Sequence, residues 1–333
     1  MNFFLRCIFL NCFLLVAMHP SILAREGNTK ESDNQSLVNK TAGLVDDTHL
    51  LLSEQISSVS DELDSFFGEE RMDGDFNKSK IRFNFITTFD DEGKATYKTN
   101  LSASLVLPRT QKKMNLIVED VKKNLTEDDQ SETGENQNQN NAADTVTEST
   151  LAAALQYVIF DSEDWAIDTR TGVIISAPLD PYARLRVRRT FYLENEWESR
   201  FTQLLRWSYA RNWEESSGLV FDKTINKQLL FRINNGISWR KKSQIFSFGH
   251  GYSLYHQLTP SQALVYFTNM SGIHKPKIHT TGYDLGVGYR QMIYNNWIFL
   301  EISPKVVWSR DEPNENFKRT NIRIVKIEFN FGK

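Results

Sequence analysis

Beyond its first 24 residues the chain has no cysteine, because both of its thiols, Cys7 and Cys12, lie in that opening segment. A chain that sheds the segment therefore has no disulfide and no thiolate metal site. A basic excess is missing as well. There are 39 Lys and Arg against 42 Asp and Glu, so the electrostatic footprint of a nucleic-acid binder is absent and no such partner is expected. Phosphate loops, paired catalytic carboxylates and dinucleotide fingerprints do not occur, which leaves no cofactor to expect. His274 and His279 in "HKPKIH" are two imidazoles in a short loop without nearby carboxylates, too little for a metal site.

What is present begins with an export signal. "MNFFLRCIFLNCFLLVAMHPSILA" has one Arg, no acid, an apolar stretch from Cys7 to Ala17 and a cleavable Ala24, the layout of a signal peptide over 1–24. His19 and Pro20 cut the apolar run below the ~18 residues of a spanning helix. Asn11 stands where a lipoprotein signal needs a small residue, so no lipid anchor is expected.

Residues 25–79 read as a periplasmic N-terminal segment. Its first part, to residue 46, is polar and without period. Leu52, Ile56, Val59, Leu63 and Phe66 then recur at 4,3,4,3 spacing, which predicts a short amphipathic helix. That stripe can pack on the rest of the chain, plug a lumen or dock on a periplasmic protein. It has too few heptads for a coiled coil.

From Lys80 to the C-terminus the period becomes two. Three candidate strands precede Glu119 ("KIRFNFITTF", "TNLSASLVLP", "KKMNLIVED"), and an acidic, Asn/Gln-rich interval, 119–150, reads as a disordered loop. Eleven more candidates follow: 151–160, 165–179, 182–193, 198–212, 216–225, 228–240, 243–257, 262–272, 279–293, 296–310 and 319–331. Most are far longer than the ~5–6 residues usual in soluble sheets. No helical interlude separates them, which excludes a βαβ arrangement.

"PYARLRVRRTFYL" (181–193) displays the logic. Ala183, Leu185, Val187 and Phe191 share one face, and Arg184, Arg186, Arg188 and Thr190 share the other. Arg189 alone breaks the row, as a long side chain near a membrane interface can. One apolar and one charged face on strands of about 9–11 residues or more suit a transmembrane barrel, whose lumen accepts what a sandwich core refuses. The expected fold is all-β: an antiparallel transmembrane β-barrel over 80–333, of 14 strands, or 12 if two of the first three segments pair elsewhere. Both ends then lie on the periplasmic side, and an even strand number follows.

"RIVKIEFNFGK" resembles the final-strand signal that the bacterial barrel-assembly machinery reads, with Phe329 and Phe331 as its aromatics, although Gly332 and Lys333 follow. Together with "DSFFGEER", "LPRTQKKMNLIVED" and "WIFLEISPKVVWSRD", this ending resembles an uncharacterised family of Gram-negative outer-membrane β-barrel proteins, over roughly residues 63–331. The resemblance implies the fold, a place in the bacterial outer membrane among its lipids, and no activity.

Three function classes stay open. Arg170, Arg184, Arg186, Arg188, Arg206, Arg232, Arg290 and Arg323 with Glu301 are candidate lumen residues of a passive channel that favours anions. The same arginines can instead pair with Asp168, Asp222, Asp284, Glu301 and Glu328 and stiffen a structural barrel. A lipid-modifying enzyme would need His250 beside a Ser nucleophile, but Ser253, three residues on, points to the other face. With the barrel as channel or structural element counted as one class and the enzyme as another, an assembly or docking scaffold, through the helical stripe, is the third.

Overall fold

The computed structural model describes Phe66 and residues 79–107, 113–122, 149–294 and 297–332. Fourteen strands fill these segments. They are β1 (Lys80–Phe89), β2 (Ala95–Val106), β3 (Met114–Lys122), β4 (Ser149–Asp161) and β5 (Trp165–Ile174). Then come β6 (Asp180–Leu193), β7 (Trp197–Ser208), β8 (Asn212–Asn226), β9 (Leu229–Arg240) and β10 (Ile245–Thr259). The last four are β11 (Gln262–Ile273), β12 (His279–Tyr294), β13 (Ile298–Ser309) and β14 (Lys318–Gly332).

Each strand pairs antiparallel with its neighbours in sequence, and β1 closes on β14 from Lys80↔Gly332 to Phe89↔Arg323. The result is a closed 14-stranded barrel. The first three strands join the same sheet, which removes the 12-strand alternative. The expected acidic loop is shorter than 119–150: β3 continues to Lys122 and β4 starts at Ser149. Residues 123–148 lie outside the described residues, as do the signal segment and Leu52, Ile56, Val59 and Leu63 of the helical stripe.

The two faces invert the order of a soluble protein. On β4, Ala152, Ala154, Gln156 and Val158 are buried and alternate with exposed Leu151, Leu155, Tyr157 and Ile159. Across the barrel the inward positions hold Asp168 and Arg290, each 0% exposed, while Leu285 on the outer wall is 56% exposed. Charge inside and hydrocarbon outside is stable only where the surroundings are lipid. Closure then leaves no backbone edge unpaired in the bilayer.

Tryptophans mark the two ends of the wall. Trp165 and Trp197 open β5 and β7 at the rim where β1 begins and β14 ends, the chain-end rim of the barrel, and Trp207, Trp213, Trp239 and Trp308 lie near the opposite rim. Such aromatic belts sit at the two membrane–water interfaces. Arg189, on the outer wall, lays its guanidinium over Trp165 (4.8 Å) and Phe191 (4.5 Å).

Local chemistry explains the connections. In the β1–β2 turn the Asp90 carboxylate accepts the N–H groups of Glu92 and Lys94, and Gly93 supplies the positive φ of 77°. Inside, Gly286 lets the Phe267 ring cross β12, since a Cβ there would fall 2.4 Å from that ring. Pro304 has no N–H to donate, and the β12–β13 pairing is interrupted beside it, between Gly286↔Lys305 and Tyr289↔Ile302.

Two outcomes follow. Leu285→Arg puts a charge on the lipid face and should lower folding stability by about 2–4 kcal/mol, measured by reversible denaturation in vesicles. At the rim, Asp91 accepts the backbone N–H (2.8 Å) and side-chain amide (2.6 Å) of Asn321, and the backbone bond above all holds its carboxyl below the ordinary value. This latch is therefore present at neutral pH and above the unfolded value, and is lost as pH falls through the lowered folded value. An NMR titration should place the Asp91 midpoint below about 3.9, and a midpoint at or above it would refute the latch.

Candidate functional site

The alternation of β5 and β6 aims a row of guanidinium groups inward, where neighbouring strands supply carboxylates. Asp168 receives Arg186 Nε at 2.7 Å, Arg184 Nη2 at 3.3 Å and Gln156 Nε2 at 2.9 Å. Arg170 Nη1 donates to both oxygens of Glu119, at 3.0 and 3.3 Å. On β8 and β9, Arg232 grips Asp222 in a bidentate pair at 2.7 and 2.8 Å, with its guanidinium 5.3 Å from the Tyr255 ring. Bidentate geometry makes these among the stronger ion pairs available to a side chain.

A second cluster lies on β12–β14. Arg290 donates to Glu328 (2.7 Å) and Glu301 (3.3 Å) and stacks on Phe299 (4.3 Å). Lys326 reaches Glu301 at 2.6 Å, and Arg82 of β1 approaches Glu328 at 3.8 Å. Nearby, Lys305 lies 3.9 Å from Asp284, which also accepts the Asn269 amide at 2.8 Å. Toward the rim opposite the chain ends, Glu214 sits between Arg206 (4.0 Å) and Arg240 (3.7 Å). Each of these pairs joins strands no more than two apart, so the charges line the wall rather than bridge the interior.

One sector of the interior is apolar. Leu230, Tyr255, Ala263 and Phe299, with Val265 and Met292 beside them, lie on inward positions near the rim that carries the chain ends. Phe66, which is helical and 7% exposed, sits among them, edge-on to Phe299 with ring centroids 5.8 Å apart. Of the five stripe residues read from the sequence, this one is thus spent inside the chain's own barrel.

Among the candidates, Arg170, Arg184, Arg186, Arg188, Arg206, Arg232, Arg290 and Glu301 occupy inward positions. Arg323 does not. It shares the parity of Val325, Ile327 and Phe329 and stands opposite Pro304 and Phe89 on the outer wall. Its long side chain is exposed toward the rim opposite the chain ends, where it can reach water or headgroups. Strand parity read from the sequence sets Lys305 and Lys326 on the polar face, where they lie, whereas Glu119 and Arg82 were missed as inward residues although the same parity would have found them.

Phe329 and Phe331 face outward at the end of β14, packed with Trp297 at 6.3 and 5.3 Å. His250 is on the outer wall, where its Nδ1 pairs with Asn235 Oδ1 at 2.7 Å, and Ser253 is buried on the inward face. The geometry a serine hydrolase needs is not formed by these two. In the "HKPKIH" loop, His274 Nδ1 accepts the Phe246 N–H (2.8 Å) and His279 Nδ1 lies 2.7 Å from the Lys277 carbonyl.

A closed barrel with a lipid-facing apolar band, two tryptophan belts and a charged interior is an outer-membrane β-barrel. No protein-family model matches the sequence, and no curated protein matches it. Similar solved structures include a bacterial polysaccharide outer-membrane secretin, at 11% identity and TM-score 0.46, covering 77% of this chain and 99% of that one. The outer-membrane channel DcaP of Acinetobacter baumannii is 7% identical at TM-score 0.43, covering 76% and 96%. The NanC porin is 10% identical at TM-score 0.36, covering 54% and 93%. Likenesses this distant carry no substrate or activity across to this chain.

Asp168 is the shared acceptor of a fully buried cluster, so Asp168→Ala should cost about 3–5 kcal/mol through the charges it strands. Denaturant midpoints of the folded barrel, with Asp168→Asn as the isosteric comparison, measure the loss.

Proposed function

We propose that the protein is a passive outer-membrane channel whose arginine-lined interior favours small anionic solutes. The carrying observation is the composition of one sector: β5–β7 direct Arg170, Arg184, Arg186, Arg188, Arg200 and Arg206 inward against Asp168, Asp180 and Glu198. A wall with more cations than acids, in surroundings of low dielectric, focuses a positive potential along the path and lowers the barrier to anions. Phe66 and its apolar pocket lie on the inner wall at the end where β1 begins and β14 ends.

A structural barrel is the second reading, supported by the carboxylate partners of Arg170, Arg186, Arg232 and Arg290. Such pairs rigidify a wall without needing an open path. On either reading the protein meets the outer-membrane lipids along its apolar wall, and the barrel-assembly machinery through Phe329 and Phe331. A periplasmic protein docking through Leu52, Ile56, Val59 and Leu63 would do so without Phe66.

Recording from purified protein in planar bilayers under a salt gradient separates the readings. The channel predicts discrete conductance with an anion-selective reversal potential, shifted toward cations by Arg186→Gln together with Arg188→Gln. Silent bilayers from correctly folded, heat-modifiable protein would leave the structural barrel standing.

A further inference from the structure

The outer wall is not uniformly apolar. On β12, β13 and β2 its midspan is built from residues such as Leu285, Ile302 and Leu101, but on β7–β10 the same height carries hydrogen-bonding side chains. Gln203, Ser217, Asn235 and His250 each lie five residues in from one strand end (Ser208, Asn212, Arg240 and Ile245), all at the rim opposite the chain termini. With ~3.3 Å per residue and a tilt of about 40°, that is roughly 12 Å below the rim, inside the hydrocarbon layer. They form a band: Gln203 pairs in register with Ser217, and Asn235 with His250.

The band is internally bonded. Ser217 Oγ donates to Gln203 Oε1 at 2.6 Å, and Gln203 Nε2 donates to Glu215 Oε1 at 3.1 Å. His250 Nδ1 lies 2.7 Å from Asn235 Oδ1, and Asn235 Nδ2 donates to the Leu219 carbonyl at 3.3 Å. Acyl chains offer such groups nothing, and a leucine at any of these positions would cost nothing in lipid. Headgroups do not reach this depth. A surface that keeps amides, a hydroxyl and an imidazole at midspan, with the Glu215 carboxylate about 5 Å nearer the rim, is suited to protein.

We propose that the β7–β10 wall is the interface at which a second copy of this chain docks. Complementarity points to a like partner: the patch holds a carboxylate, Glu215, on β8 and an imidazole, His250, on β10, so a two-fold axis along the membrane normal sets the β8 side of one copy against the β10 side of the other, with the two groups about 5 Å apart in height. Amides that donate and accept suit the same isologous arrangement. The proposal does not depend on whether the interior conducts.

The cysteine-free body of the chain makes the test direct. In full-length protein in outer-membrane vesicles, Ser217→Cys should form a covalent dimer under mild oxidation and Ile302→Cys on the opposite wall should not. The combined variant Gln203→Leu, Asn235→Leu, His250→Leu should remain a folded, heat-modifiable barrel, since leucine suits lipid. Its dimer dissociation constant in mild detergent should rise about tenfold or more. Wild-type protein that is monomeric in both vesicles and detergent overturns the proposal, as does equal cross-linking at Ser217→Cys and Ile302→Cys. An oligomer unchanged in the leucine variant assigns the contact to another surface, and a cross-link to a different polypeptide alone excludes the second copy.

Discussion

The hydrogen bonds that join β1 to β14 are the constraint on which the rest of the molecule depends. In the hydrocarbon layer an unpaired backbone N–H or C=O costs several kcal/mol, because no water is available to replace the missing partner. An open sheet of this size would expose two full edges. With Lys80↔Gly332 through Phe89↔Arg323 in place, every strand has two neighbours, and the start of β1 and the end of β14 share one rim. Strand alternation then acquires its meaning: one face is enclosed, and the other meets acyl chains.

Enclosure sets the electrostatic terms of the interior. Guanidinium groups as buried as Arg186 and Arg290 persist because carboxylates stand within hydrogen-bond reach on the next strand or the one beyond it. Taking both charges out of water costs several kcal/mol per ion, so such pairs contribute little net stability, yet losing one partner is expensive. Their effect is to hold long, flexible side chains against the wall. Tyr182, Tyr255 and Phe299, each under a guanidinium, restrain them further. The apolar pocket around Phe66 is the exception to this pattern, and its occupant comes from the same chain.

The outer wall has its own division. Most of it is the apolar band and aromatic belts that a bilayer selects, with Arg189 tolerated because Trp165 and Phe191 cover its charge. The β7–β10 sector departs from this with a row of paired polar side chains. Charged interior and polar sector occupy opposite faces of the same strands, so each is free to vary without disturbing the other. That independence follows from the period of two along a strand.

Much of this was legible in the residues themselves. The eleven segments read after Leu151 fall on β4–β14 with shifts of a few residues at most ends, the largest at the second, where "SAPLD" turns the chain away after Ile174. Seven of eight arginines assigned to the interior are there, because parity survives any tilt or twist of the strand. Arg323 was misplaced for the same reason in reverse: its parity with Val325 and Ile327 was overridden by its charge, and position in the strand, not charge, decides which way a side chain points. Alternation, strand length and the absence of helical interludes were therefore enough to determine barrel, membrane and facing. Which arginine meets which carboxylate, where Phe66 seats, and that Gln203, Ser217, Asn235 and His250 share one height were decided only by the closed fold. Those facts depend on register between strands, a relation between distant parts of the chain that no local pattern encodes.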